Sequence, residues 1–313
     1  MPLSLRRGNV TAVVEQHEGL VRLEVDGVPC IAYSGFTGAV EVGDDVLVNV
    51  QARELGLGSG GFDILHANLT RGLELTPEPG AHVMTLPYTS LQRAVPHVEE
   101  HGELAESLDG MPVVCCSLHS QLVPVCAALR GLRVAFVQLA GGAVLVELSD
   151  AVRALRERGM LELVVAAGPC VGFAAQAVNV YSALAWCKAR GAEVVVCSIG
   201  PGIVGTGTAI GHGGVAAAQA VNAAAALGGR PVVAPRVSGA DERPRHRGHS
   251  HHTEAVLRLC LVEPLLPDDL EPAGWRQATE SLPLSHMRRG PDEDPEFFAA
   301  AFAAGRLARS LVE

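Results

Sequence analysis

The sequence predicts a two-part α/β protein: a small N-terminal β-barrel-like domain, then a doubly wound, mostly parallel αβα sandwich. Three observations predict it. Residues 1–75 carry short period-2 stretches separated by turn signals. From residue 82 the rhythm changes to apolar runs alternating with helical patterns. The later runs, such as Val194-Val195-Val196-Cys197, are apolar throughout, as strands buried on both faces are. The boundaries read as 1–75 for the β-domain, 76–81 for a linker and 82–313 for the α/β domain.

The first domain shows strands at Val10–Glu15, Leu20–Val25, Val28–Tyr33 and Val46–Val50. Asp26-Gly27 and Gly43-Asp44 suit the tight dihedrals of hairpin loops. Gly56–Gly61 reads as an exit loop, and Thr76-Pro77-Glu78-Pro79-Gly80 belongs to the linker. In the second domain strands are expected at His82–Leu86, Met111–Cys116, Leu132–Gln138, Leu161–Ala166, Val194–Ile199 and Pro231–Arg236. Helices are expected over Ser90–Leu108, Ser120–Leu129, Ser149–Arg158, Ala174–Arg190, Gly214–Leu227, Ser250–Leu261 and Pro295–Leu311. Ser90, Ser120, Ser149 and Ser250 stand where N-caps are needed, and Pro124 falls in a first turn that tolerates it.

Composition narrows the function classes. Apolar residues make up 48% of the 313 and aromatic ones only 4%, so a Val/Leu/Ala core is available and disorder is excluded. Eight scattered cysteines do not make a disulfide scaffold, and a reducing cytoplasm is expected. Met1–Val10 has no apolar h-region, and no apolar run approaches the ~18 residues of a membrane span. The formal charge is −10 with no basic run, which disfavours nucleic acid and anionic lipid as partners. Small barrels often bind oligonucleotides, but 5 Arg against 10 Asp and Glu in residues 1–75 oppose that use. A scaffold or oligomerisation module is the plainer reading of the barrel, and a homodimer is the prior for subunit number.

Ligands of open parallel sheets bind beyond the carboxyl ends of the strands, and two segments there stand out. The first is Gly200-Pro201-Gly202-Ile203-Val204-Gly205-Thr206-Gly207-Thr208, then Gly211-His212-Gly213-Gly214 opening a helix. Gly200, Gly202 and Gly205 satisfy G-x-G-x-x-G, but the helix starts too late and no acid follows, so a dinucleotide fingerprint is disfavoured. Thr206 stands where a P-loop needs Lys. No carboxylate occurs between residues 194 and 240. Unhindered amides of Gly200, Gly202, Gly205 and Gly207, with the hydroxyls of Thr206 and Thr208, are therefore read as an anion cradle. The plainer alternative is a tight loop whose glycines permit close packing.

The second segment runs from Arg236 to Thr253 and holds His246, His249, His251 and His252 within seven residues. One reading is a metal site using His246, His249, His251 and Asp241, although the spacing matches no standard zinc motif and the nearby arginines oppose a cation. The favoured reading is an anion site, with Arg236 and Arg245 as clamps and His251, His252 or His119 as general acid or base. His119 comes from Ser117-Leu118-His119-Ser120 at another strand end. An enzyme, a hydrolase or transferase acting on a phosphorylated or carboxylated small molecule, is the leading expectation. A metal-dependent hydrolase and a non-catalytic ligand-binding regulator are the alternatives, and no cofactor is named.

At these residues the chain resembles a bacterial family known as a domain of unknown function, DUF3866. The likeness runs from the barrel to about Thr253. It rests on Leu86-Pro87-Tyr88-Thr89, Ser117-Leu118-His119-Ser120-Gln121, the Gly200–Thr208 string and His246-Arg247-Gly248-His249-Ser250-His251-His252-Thr253. Family members carry His or Gln, Gly-Gly-Asp and Glu where this chain reads Gly168-Pro169-Cys170-Val171-Gly172-Phe173-Ala174-Ala175-Gln176. The resemblance thus implies an altered site there, and it supplies no activity, cofactor or ligand.

Overall fold

The computed structural model describes residues 3–57, 60–71, 78–172 and 175–312. Parts of the expected exit loop and linker, and Phe173 and Ala174, lie outside them. The chain divides into two compact units, Met1–Val95 and Pro96–Glu313.

The first unit is built on β1 (Leu5–His17), β2 (Leu20–Val25), β3 (Val28–Tyr33), the one-turn α1 (Ser34–Thr37), β4 (Asp45–Asn49), the one-turn α2 (Gln51–Glu54) and β5 (Asp63–Asn68). The five strands close a barrel in the order β1-β2-β3-β5-β4. Only β3 and β5 pair in parallel. This is the five-stranded Greek-key barrel of the OB type. Its β2–β3 turn places Asp26 at φ 51° and Gly27 at φ 76°, the positive pair that such hairpins demand. Alternate residues Leu23, Val25, Val46 and Val48 fill the interior. Buried Asp63 accepts two hydrogen bonds from Arg53, at 2.9 and 3.1 Å.

Just beyond the barrel one expectation holds only in part and one fails. The strand foreseen at His82–Leu86 is β6 (Val83–Thr85), paired only with β7 (Arg93–Val95) in a separate ribbon. The helix foreseen over Ser90–Leu108 is absent. Pro96 disfavours helical backbone at Val95, and only the single turn α3 (Val98–His101) follows.

In the second unit β8 (Pro112–Cys116), α4 (Leu122–Ala128), β9 (Val134–Leu139), α5 (Asp150–Glu157), β10 (Leu163–Ala167), β11 (Ala175–Ala177), α6 (Val180–Ala189), β12 (Val194–Ile199), α7 (Ala216–Ala226) and β13 (Arg230–Ala234) succeed one another. Six strands form one sheet in the order β11-β10-β9-β12-β8-β13, parallel throughout. Each central strand feeds both faces. Val134 and Phe136 of β9 enter one apolar core, Ala135 and Val137 the other. The expected helix over Ala174–Arg190 begins with the short strand β11, and α6 starts only after Asn179, whose side chain caps it. Ser149 and Ser250 act as N-caps, whereas no helix begins at Ser90 or Ser120.

Past β13 come β14 (Val237–Ser238) and β15 (Gly248–His249), a two-stranded ribbon, then α8 (His251–Leu259), α9 (Trp275–Thr279) and α10 (Pro295–Ser310). The outer margin of β13 is covered. Val233 N–H donates to Leu265 O and Leu265 N–H to Pro231 O, both at 2.9 Å. All eight cysteines are free, and seven are buried. Among the described residues no helix is long and apolar enough to cross a membrane.

Candidate functional site

After β9 the chain turns toward β10, whereas after β12 it turns toward β13, so the crevice of the sheet opens between β9 and β12. Backbone fills it. A Cβ on Gly200 would lie 2.1 Å from Ala143 O, one on Gly142 2.2 Å from Gly200 O, and one on Gly213 1.9 Å from Gly141 O. These glycines are required because two loops touch main chain to main chain.

The loop from Gly202 to Gly211 stands out into solvent and is turned on itself. Val204 N–H donates to Gly141 O and Thr206 N–H to Gly211 O, at 2.9 and 2.8 Å. Thr208 N–H donates to Thr206 Oγ1, while the Thr206 and Thr208 hydroxyls meet at 2.9 Å. The two threonine hydroxyls of the expected anion cradle are thus engaged within the loop itself. Gly202 (φ 71°) serves a turn, Gly205 pairs with His212, and Gly207 has open space around it.

The histidine segment contrasts with this. His246 closes a short turn after Pro244; Ser250 caps α8, so His251 and His252 occupy its first turn. His212, at the foot of the Gly-rich loop, joins them. Its ring stacks on that of His252 at 3.7 Å, and the rings of His246, His251 and His252 lie 4.5–4.8 Å apart. His246 Nδ1 is 2.8 Å from Ser250 Oγ. Nε2 of His251 is buried with no hydrogen-bond partner, and the two buried nitrogens of His212 have none beyond a marginal contact with the Ala209 carbonyl. Such atoms cost free energy until something binds them.

Burial and neighbouring positive charge keep these rings neutral. His246 is pushed down to about 3 by burial and then by Arg236 and Arg243. His252 falls to about 2 through burial, His212 and Arg236. His212 and His251 are lowered too, the latter by burial and then by exposed Arg245. Arg236 is itself buried; Nη2–H donates to Asp241 Oδ2 at 3.2 Å and Nη1–H to His252 Nδ1 at 3.1 Å. Arg243 holds Asp241 with two side-chain hydrogen bonds, at 2.9 and 2.8 Å, and one from its backbone N–H at 3.1 Å, and keeps that carboxyl well below the usual range. Arg289 Nη2 lies 3.1 Å from Asp294 and 3.6 Å from Asp241. Three guanidinium groups against two carboxylates leave this network one net positive charge.

The structure brings His246, His251, His252 and Arg236 together, with Arg245 close enough to act on His251. Asp241 pairs with arginines, and His249 is exposed and makes no contact with the other rings. His119 is a tether. Nδ1 lies 3.0 Å from Ile199 O and Nε2 2.6 Å from Ser149 Oγ, and burial pushes the ring down to about 4. Both of its nitrogens are thus engaged within the protein. Burial likewise raises the Cys116 thiol, leaving it inert.

Sequence reasoning missed His212, Gln121 and buried His286, whose Nδ1 lies 3.0 Å from Ser120 Oγ. His212 sits in a Gly-rich string, yet its only company in sequence is glycine. Gln121 ties the ends of β8 and β13, donating to Ala234 O and Pro235 O at 2.9 and 3.2 Å. Its signal was its place in the Ser117–Gln121 string.

Residues 29–270 match the family described as "Protein of unknown function (DUF3866)". The chain belongs to this family. The match takes in every residue of the histidine cluster and ends before His286, Arg289 and Asp294 of this DUF3866 member. No curated protein matches the chain.

Proposed function

We propose that this protein is an acid–base enzyme, a hydrolase or transferase, acting on a phosphorylated or carboxylated small molecule. The carrying observation is the cluster of His212, His246, His251 and His252, with the buried, unpartnered Nε2 of His251 in a net positive surround. Neutral imidazoles offer N–H donors, and nearby guanidinium charge favours an anion over a cation. Arg245 supplies the exposed cation at the approach, and half-buried His251 is the general acid–base. Arg236 is engaged with Asp241 and His252, so it supports the site from behind instead of clamping the ligand.

A second reading has its own observation. One ligand atom each from His212, His251 and His252 lie within 4.8 Å of one another, a grouping that could hold a divalent transition metal. Metal-bound imidazoles normally donate their second N–H to an acceptor, whereas Arg236 donates to Nδ1 of His252. That contact favours the anion.

Thermal melting with inorganic phosphate, acyl phosphates, nucleotides or zinc separates the two. A ligand at 100 times its Kd adds about 2.7 kcal/mol. Stabilisation by phosphate or an acyl phosphate, lost in His212→Ala and His251→Ala, is expected. Stabilisation by zinc alone, with stoichiometric binding, would replace the anion by the metal.

A further inference from the structure

We propose that Arg236 is the positioning residue of this site, held by Asp241 and, behind it, Asp294, so that its guanidinium keeps the His252 ring proton on Nε2. The geometry stands by itself; the purpose assigned to it rests on the anion reading above. A guanidinium has donors and no acceptor, so Nδ1 of His252, 3.1 Å from Arg236 Nη1, must accept. A neutral imidazole that accepts at Nδ1 carries its proton on Nε2. His252 is thereby fixed as a hydrogen-bond donor, which a phosphate or carboxylate oxygen requires.

Arg236 can be fixed because its own partner is fixed twice. Asp294 accepts from Ser238 Oγ–H at 2.7 Å, and the same Ser238 oxygen accepts Asp241 N–H at 3.1 Å. Arg289 Nε–H donates to Asp294 Oδ2 at 3.1 Å, and its Nη2 reaches Asp241. Asp294 is buried immediately before α10. The chain Asp294–Ser238–Asp241–Arg236–His252 therefore joins the site to a segment beyond residue 270, where the family match ends. The usual carboxylate–histidine pair leaves a ring nitrogen as an acceptor for metal or proton; a guanidinium in the carboxylate's place reverses that direction.

Long-range ¹H–¹⁵N spectra of protein labelled in its histidine rings report which nitrogen carries the proton. The expected wild-type result is His252 with Nδ1 bare and Nε2 protonated at neutral pH. Arg236→Lys, which keeps a donor, should preserve this state. Arg236→Met should move His252 toward the Nδ1–H form, and Asp294→Asn should do so in part. A wild-type ring protonated at Nδ1, or an Arg236→Met spectrum identical to wild type, would overturn the proposal. The wild-type spectrum decides even where Arg236→Met does not fold. Inorganic phosphate, titrated in parallel, should bind about tenfold more weakly to Arg236→Met and regain affinity in Arg236→Lys. A shifted tautomer with unchanged phosphate affinity would uphold Arg236 as the positioning residue while sinking the anion reading.

Discussion

The Gly200–Gly214 loop and the Arg236–His252 segment both lie past carboxyl ends of the parallel sheet, and both look like ligand sites in sequence. They end in opposite states. Gly200 and Gly213 are held by close backbone contacts and the two threonines bond each other, whereas buried Nε2 of His251 keeps no partner. Unhindered donors make a site only where the fold leaves them unengaged. Residue type cannot tell the two cases apart; the tertiary partners do.

The largest test of that contrast is steric. Gly213→Ala would set a Cβ 1.9 Å from Gly141 O and should cost about 3 kcal/mol in chemical denaturation, whereas Gly207→Ala, with nothing nearby, should be close to neutral. Equal effects would mean that the loop is not packed as described.

Acid should act next. His119, His246, His252 and His286 are held down to about 4, 3, 2 and 3, each mainly by burial. Their unfolded counterparts titrate near 6.5, so the unfolded chain takes up protons first. Stability is then full above about pH 7 and falls as pH drops, by about 2 kcal/mol per ring at pH 5. Denaturant midpoints at pH 7 and 5 measure this, and saturating phosphate should narrow the gap because a bound anion favours the protonated rings. A pH-independent midpoint would show the rings to be solvated.

A smaller effect is expected for binding. His251→Ala should weaken phosphate by about tenfold, the scale of one hydrogen bond to a charged partner. The smallest belongs to the other loop. Thr206→Val and Thr208→Val should leave phosphate affinity unchanged by calorimetry and alter stability by less than about 0.5 kcal/mol. Loss of affinity there would return the site to the glycine loop.

The barrel hairpin and five of the six parallel strands were legible because their cues are local: Asp26-Gly27 at a turn, and Val-rich runs buried on both faces. The helix expected over Ser90–Leu108 was not, because apolar spacing outweighed the break at Pro96. In the site, the Arg236–His252 segment announced itself by composition. His212 arrives from 34 residues before His246, and Asp294 from beyond the family match. Contacts of that separation leave no periodic trace. Arg236 was visible as a cation, but that it faces Asp241 and His252 is a property of the assembled ribbon and α8.

The strand-like contact of Leu265 with β13 bears on how copies of this chain can meet. A bare outermost strand invites a neighbour to extend its hydrogen-bond ladder. Here the invitation is already answered from within, since Val233 N–H and Pro231 O are both occupied. Self-association by stitching two such sheets together at that border is closed off.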